Sequence, residues 1–275
     1  MRRLPALALT LLLAALAAPS IAADDAAAYV PVRQDPLGTR LVNLPSPLTL
    51  GRGTFEILFT HRFAEAIGDG SAHDLWGLDG GADVGIGLGY GVSRNFDLAL
   101  YRSSFAETYE LAGTVALLRQ APRVPLSFTV RAGADLVGQR GADSPTRPFA
   151  QAIVARRFAS GWNVIVVPTW VRDTPRLRNA FNAGLALSAP LGGARLELEV
   201  MPRNRDLESS VTAWSIALSK AIGGHLFKLT LGNSRATTVD QYAGGDFPPG
   251  FRTHDVRLGF NLVRDFHPGR QGAHP

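Results

Sequence analysis

Between residues 82 and 92 every even position is apolar or aromatic and every odd one is glycine or aspartate. Successive side chains of an extended strand point to opposite faces, so Ala82, Val84, Ile86, Leu88, Tyr90 and Val92 share one face, and Asp83, Gly85, Gly87, Gly89 and Gly91 the other. The alternation returns along the chain in segments of roughly ten residues, the length a tilted strand needs to cross a bilayer. It predicts strands at 54–63, 82–92, 96–103, 109–117, 126–137, 149–158, 162–172, 181–189, 195–200, 214–218, 227–231 and 256–262. Between them, tight turns at 93–95, 159–161, 190–193 and 221–224 take turns with longer loops at 64–81, 138–147, 202–210 and 233–254. One rim of loops and one of turns, with an even strand count and both ends on the turn side, is the plan of a bacterial outer-membrane barrel.

Two segments resist this reading. The faces of 149–158 cannot be assigned, because Arg156 and Arg157 are adjacent, and Pro168 removes one ladder donor from 162–172. Elsewhere the pattern is clean: Phe128, Val130, Ala132, Ala134 and Leu136 alternate with Ser127, Thr129, Arg131, Gly133 and Asp135. The predicted fold is therefore all-β, a single up-and-down antiparallel transmembrane β-barrel of about 12 strands over 54–266, following a signal peptide.

Composition adds compartment and excludes some partners. Residues 1–23 begin with Arg2 and Arg3, continue apolar to Ala18 and end on small residues, which fits a cleaved secretory signal; no later stretch has the roughly 18 apolar residues of a spanning helix. Residues 24–53 carry Pro31, Pro36, Pro45 and Pro47 with little periodicity and read as an irregular leader, periplasmic or inserted into the lumen; 267–275 form a tail. The chain has no cysteine, so disulfides and thiolate metal sites are excluded, and the 29 glycines and 18 prolines suit strands and turns better than helices. Without Arg2 and Arg3 the basic residues number 26 against 23 acids, a net charge of +3 with no basic run, which does not describe a nucleic-acid binder. Phe63, Phe96, Tyr109, Phe158, Trp162, Trp170, Phe181, Trp214 and Phe266 fall near predicted strand ends, where interfacial aromatic girdles belong.

Three stretches carry a family resemblance: His61-Arg62-Phe63, Gly77-Leu78-Asp79-Gly80-Gly81 leading into Gly85–Gly91, and Gly224-His225-Leu226-Phe227 before Asn233-Ser234. Together they resemble an uncharacterised family of outer-membrane β-barrel proteins, a domain of unknown function, over about residues 38–266. The resemblance implies fold and location and brings no activity with it.

Candidate chemistry lies on the inner face, where side chains meet water or solute rather than lipid. Glu56, Arg62, Asp83, Arg131, Asp135, Arg195, Glu197, Glu199, Lys228 and Arg257 point inward on this parity and would set selectivity, as would Asp97, Glu110 and Asp255. Charges of both signs fit a narrow polar channel or a barrel filled by salt bridges. The glycine face of 82–92 poses the same alternative, a bare strip for an arginine, the leader or a ligand to approach, or a device of curvature. His61 has outward parity and is the one candidate for catalysis, as general base of a lipid-modifying enzyme, with Ser103 and Ser104 the nearest serines in the pattern. The six histidines show no metal-ligand spacing, and neither a metal nor another cofactor is expected. The readings that remain are a passive channel for small solutes gated by the loops at 64–81 and 233–254, an enzyme built on His61, and a non-conducting anchor or adhesin. In each, outer-membrane lipid surrounds the barrel; the channel adds a small solute, and the anchor a periplasmic protein held through residues 24–53.

Overall fold

A computed structural model describes residues 38–142, 145–174, 177–204, 206, 211–244, 252 and 254–266. The expected signal peptide, the first part of the leader and the tail lie outside the described residues. The alternation resolves into twelve strands: β1 (Phe55–Phe63), β2 (Ala82–Gly91), β3 (Phe96–Ser103), β4 (Thr108–Leu118), β5 (Ser127–Val137), β6 (Thr146–Arg157), β7 (Asn163–Arg172), β8 (Asn179–Leu191), β9 (Ala194–Met201), β10 (Ala213–Ile222), β11 (His225–Gly232) and β12 (Arg257–Phe266). Each pairs antiparallel with the next, and β1 pairs with β12, so the sheet closes on itself without an edge. Closure gives every strand two ladders, which a structure surrounded by lipid requires.

The outward apolar residues form a continuous exposed band that includes Ile86, Leu88, Leu100, Leu111, Leu117 and Leu229. On a water-soluble protein such a band would be far larger than the apolar patches normally tolerated, whereas around a closed barrel it is the surface that lipid covers. Phe55, Tyr90, Tyr109, Phe158, Trp162, Phe181 and Phe266 stand outward at or near strand ends, at the levels of the two girdles.

Several boundaries differ from the sequence expectation, and three of the differences shape the interior or its rims. β6 begins earlier, at Thr146, and turns Phe149, Gln151 and Ile153 inward and the small Ala150, Ala152 and Val154 outward. β8 runs through Pro190 to Leu191, so the turn is confined to Gly192 and Gly193, with Gly192 at φ 59°. The expected loop 233–254 holds a helix, α1 (Val239–Gly244), which packs on β6, β7 and β8 inside the barrel. Pro168 sits within β7 and keeps its partner Ala183 on β8, while the β6–β7 register has no pairs for Val167 and Pro168. The missing N–H thus interrupts one ladder and leaves the other whole.

The lumen is not empty. Residues 38–51 run inside it, with Leu41, Val42, Leu44 and Leu50 each at most 2% exposed. A bridge between Arg40 and Pro45 and a hydrogen bond from Leu41 N to Leu44 O at 2.9 Å make a tight turn at its tip. Leu41 and Leu44 pack with Phe149, Ile153, Ile165, Val167 and Val171 of β6 and β7, and with Val239, Tyr242 and Ala243 of α1. One side of the interior is therefore an ordinary apolar core, and the other is polar.

The glycine face of β2 has definite neighbours. A Cβ on Gly85 would overlap the Tyr101 phenol, one on Gly89 would lie 2.8 Å from a Leu50 methyl, and one on Gly91 would overlap the carbonyl oxygen of Gly51. The strip is bare because Tyr101 occupies one end of it and the leader the other. Gly91 also exchanges hydrogen bonds with Gly53 N at 2.7 Å and Thr54 O at 2.9 Å. Gly91→Ala meets backbone, which cannot swing aside, and is expected to lower unfolding free energy in lipid by about 1–3 kcal/mol. Gly85→Ala meets the end of a side chain and should cost less. Urea titration of the two variants in the same bilayer checks the order.

Candidate functional site in the barrel lumen

The inner faces of β1, β3, β4, β5, β9, β11 and β12 carry charged groups, and the lumen filling meets several of them. Glu110 of β4 is the junction. Its Oε1 accepts from the guanidinium of Arg131 and, at 3.0 Å, from that of Arg40, while its Oε2 accepts from the backbone N–H of Val239 at 2.9 Å. One carboxylate thus holds the strand wall, the leader and the first residue of α1. Arg40 also donates to the carbonyl of Thr237 at 3.1 Å and lies over the Tyr101 ring at 4.9 Å.

Glu199 of β9 caps the tip of the leader. It accepts three consecutive backbone N–H groups, from Val42 at 2.7 Å, Asn43 at 2.9 Å and Leu44 at 3.0 Å. Three charge-assisted bonds to a single carboxylate in a dry site are stronger than neutral ones. Beside it Lys228 binds Glu197 at 2.9 Å and donates to the carbonyl of Arg40 at 2.8 Å. Arg62 donates to Asn261 at 2.8 Å and to Asn43 at 3.3 Å, and Asn261 donates to the Val42 carbonyl at 3.0 Å. Lower in the barrel Thr39 donates to Glu56 at 2.8 Å, and Leu50 N to Asp97 at 2.9 Å.

A second group ties α1. Asp135 accepts from the backbone N–H of Asp240 at 2.8 Å, and the Asp240 carboxylate accepts from Arg147 at 2.6 Å and Thr238 at 2.7 Å. Gln151 accepts from Arg131 at 3.0 Å and donates to the Tyr242 hydroxyl at 3.2 Å. A cavity of about 60 Å³, lined by Arg40, Glu56, Asp97, Tyr101, Glu110 and Arg131 among others, has room for a few water molecules beside the leader.

All ten predicted inner residues point inward, but they do not form one site. Glu56, Arg62, Arg131, Glu197, Glu199 and Lys228 surround the leader, and Asp135 holds α1. The other three are separate from these: Asp83 pairs with Arg235 at 3.2 Å, and Arg257 with Asp255 at 3.1 Å. Arg195 donates to Ser188 and to the Gly161 carbonyl, both at 2.8 Å, bracing the turn rim. Arg40, Asn43, Asp240 and Tyr242 were not foreseen; they stand in segments without periodicity, and no local signal marks them.

The two loops expected to gate differ in position. Residues 233–244 enter the lumen, whereas 64–81 stays at the rim, joined to it by Ile67 N donating to Val256 O at 2.7 Å. In that rim loop a capping box, Ser71 N donating to Asp74 at 2.7 Å, holds the Asp74 carboxyl below the usual carboxylate range. His61 faces outward, stacked on Phe260 with ring centroids 5.0 Å apart and edge-on to Phe63 at 4.6 Å. Ser103 points into the lumen, where Thr237 donates to it at 3.2 Å, and Ser104 accepts from Val84 N at 2.8 Å; neither is hydrogen-bonded to His61. Among the described residues no group of three or more histidines and carboxylates is placed to hold a metal ion.

The family follows from the whole barrel. Residues 37–266 match the family described as Membrane bound beta barrel domain (DUF5777). The chain belongs to this family. A DUF5777 barrel of this build is an integral membrane protein, and its turn-and-loop plan is that of the bacterial outer membrane. Solved structures similar to it include outer membrane phospholipase A from Escherichia coli, at 13% identity over 77% of this chain and 89% of that one, TM-score 0.44. A Rhodopseudomonas blastica porin matches at 13% over 67% and 55%, TM-score 0.34, and LpxR from Salmonella typhimurium at 11% over 77% and 99%, TM-score 0.36. These are likenesses of fold. No curated protein matches the chain.

Proposed function

We propose that this DUF5777 barrel is a narrow conduit for small polar solutes, held shut by its own residues 38–53. The observation that carries the reading is the capture of Val42, Asn43 and Leu44 by the Glu199 carboxylate, which fixes the tip of the leader across the lumen. A barrel meant to stay closed is filled at least cost by apolar side chains, because buried ion pairs return little net stability for their desolvation. This wall instead keeps Arg62, Arg131, Glu110, Glu197, Glu199 and Lys228 behind the leader, groups that would face water once it withdrew. Mixed signs suit small neutral or zwitterionic solutes better than one kind of ion. In this division of the chain 1–23 is removed on export and 24–53 is the gate. The gate is also the part that a periplasmic protein would engage to open the barrel.

Planar-bilayer recording tests the proposal with the mature chain and a variant lacking residues 24–50. The mature chain should give few or no conductance steps, and the variant regular ones. Free conduction by the mature chain, or a sealed variant that still shows the heat-modifiable migration of a folded barrel, would overturn it.

A further inference from the structure

On the lipid face near the turn rim, three basic side chains from neighbouring strands stand together. Arg264 of β12 is directly opposite His225 of β11, and Lys220 of β10 is opposite Phe227, two residues along from His225 on the same face. The Arg264 guanidinium lies 3.0 Å from His225 Nε2. Arginine stays protonated, so it donates and the imidazole accepts, which puts the imidazole proton on Nδ1 as a further donor. Arg264 and Lys220 are exposed, and among the described residues neither has a carboxylate within ion-pair distance. Arg172, also outward, is by contrast paired with Asp173 at 3.2 Å.

The surroundings are apolar: Phe55, Ile222, Phe227 and Phe266 are exposed around the trio, and Arg264 lies over the Phe266 ring at 5.0 Å. The site therefore offers several N–H donors, no acceptor that would repel an anion, and an apolar surface beneath them. In this class of barrel the turn rim is periplasmic. We propose that Arg264, His225 and Lys220 bind the phosphate of an anionic phospholipid in the periplasmic leaflet, with its acyl chains lying along Phe227 and Ile222. Basic sites at a membrane surface recognise such headgroups by this chemistry. The inference is independent of whether the lumen conducts.

Native mass spectrometry of the mature chain in detergent, titrated with phosphatidylglycerol or phosphatidylcholine, tests it. Phosphatidylglycerol should be retained in preference, and Lys220→Gln with Arg264→Gln should weaken its retention by about thirtyfold, two cations lost at the membrane surface. Lys220→Gln alone, at an exposed position without an ion-pair partner, should weaken it about fivefold. Arg156→Gln, another outward cation near the turn rim, should change nothing. Inorganic phosphate in excess should not displace the lipid. Equal retention of the two lipids, undiminished retention by the folded double variant, or displacement by inorganic phosphate would each overturn the assignment.

Discussion

Glu199→Ala should make the barrel conduct. Among the described residues the carboxylate is the hydrogen-bond partner of the N–H groups of Val42, Asn43 and Leu44, and alanine would leave these three buried donors without it. Each unsatisfied donor costs about 1–3 kcal/mol, enough together to favour release of the tip into water over its burial. The leader keeps other ties: Arg40 to Glu110, Lys228 to the Arg40 carbonyl, Asn261 to the Val42 carbonyl and Arg62 to Asn43 around the tip. Thr39 to Glu56 and Leu50 to Asp97 lie nearer its base, but none of these ties satisfies the three N–H groups. Release of the tip is expected to raise open probability by at least about tenfold, since 1.4 kcal/mol already shifts an equilibrium tenfold. Bilayer recording reads the conductance, and limited proteolysis of the folded barrel reads the release, as new cleavage within 38–50. A variant that stays silent and protease-resistant would show that the apolar packing of Leu41 and Leu44 suffices to keep the barrel shut.

Glu110→Ala should be the most destabilising single change in the lumen. It removes the partner of two buried guanidiniums, Arg131 and Arg40, and the acceptor for Val239 N. Breaking a buried pair from one side costs about 3–5 kcal/mol because the remaining charge is uncompensated. Urea unfolding in bilayers measures the loss. Arg40→Ala should cost less, because Glu110 would keep Arg131 and Val239. Equal losses in the two variants would mean that the Arg40–Glu110 pair carries the whole effect and that Glu110 is not a three-way junction.

The barrel itself was legible because lipid outside and a polar lumen inside force period two on nearly every strand. Where both faces are apolar the period disappears. In β6, Phe149 and Ile153 face the inner core while Ala150, Ala152 and Val154 face lipid, so only the lone polar Gln151 marks the inner side, and the adjacent Arg156 and Arg157 blur even that. The charged inner positions could be found by parity, but not their partners: Lys228 meets Glu197 31 residues away, and Val42 meets Glu199 across 157. The leader and α1 lack a periodic pattern for a related reason. Their residues are held by contacts distant in sequence rather than by a repeat of their own, and α1 is only six residues long.

The apolar core between β6, β7, the leader and α1 also bears on how such a chain folds. Once in the bilayer, outer-face leucines gain nothing from one another, since acyl chains are as apolar as they are. Leu41, Leu44, Ile165, Val167 and Tyr242 are in a different position, because they are driven together by water alone. Part of this barrel can therefore begin to assemble before insertion, around the segment it will later enclose, so that what shuts the finished lumen also serves as the mould on which β6 to β8 take their curvature.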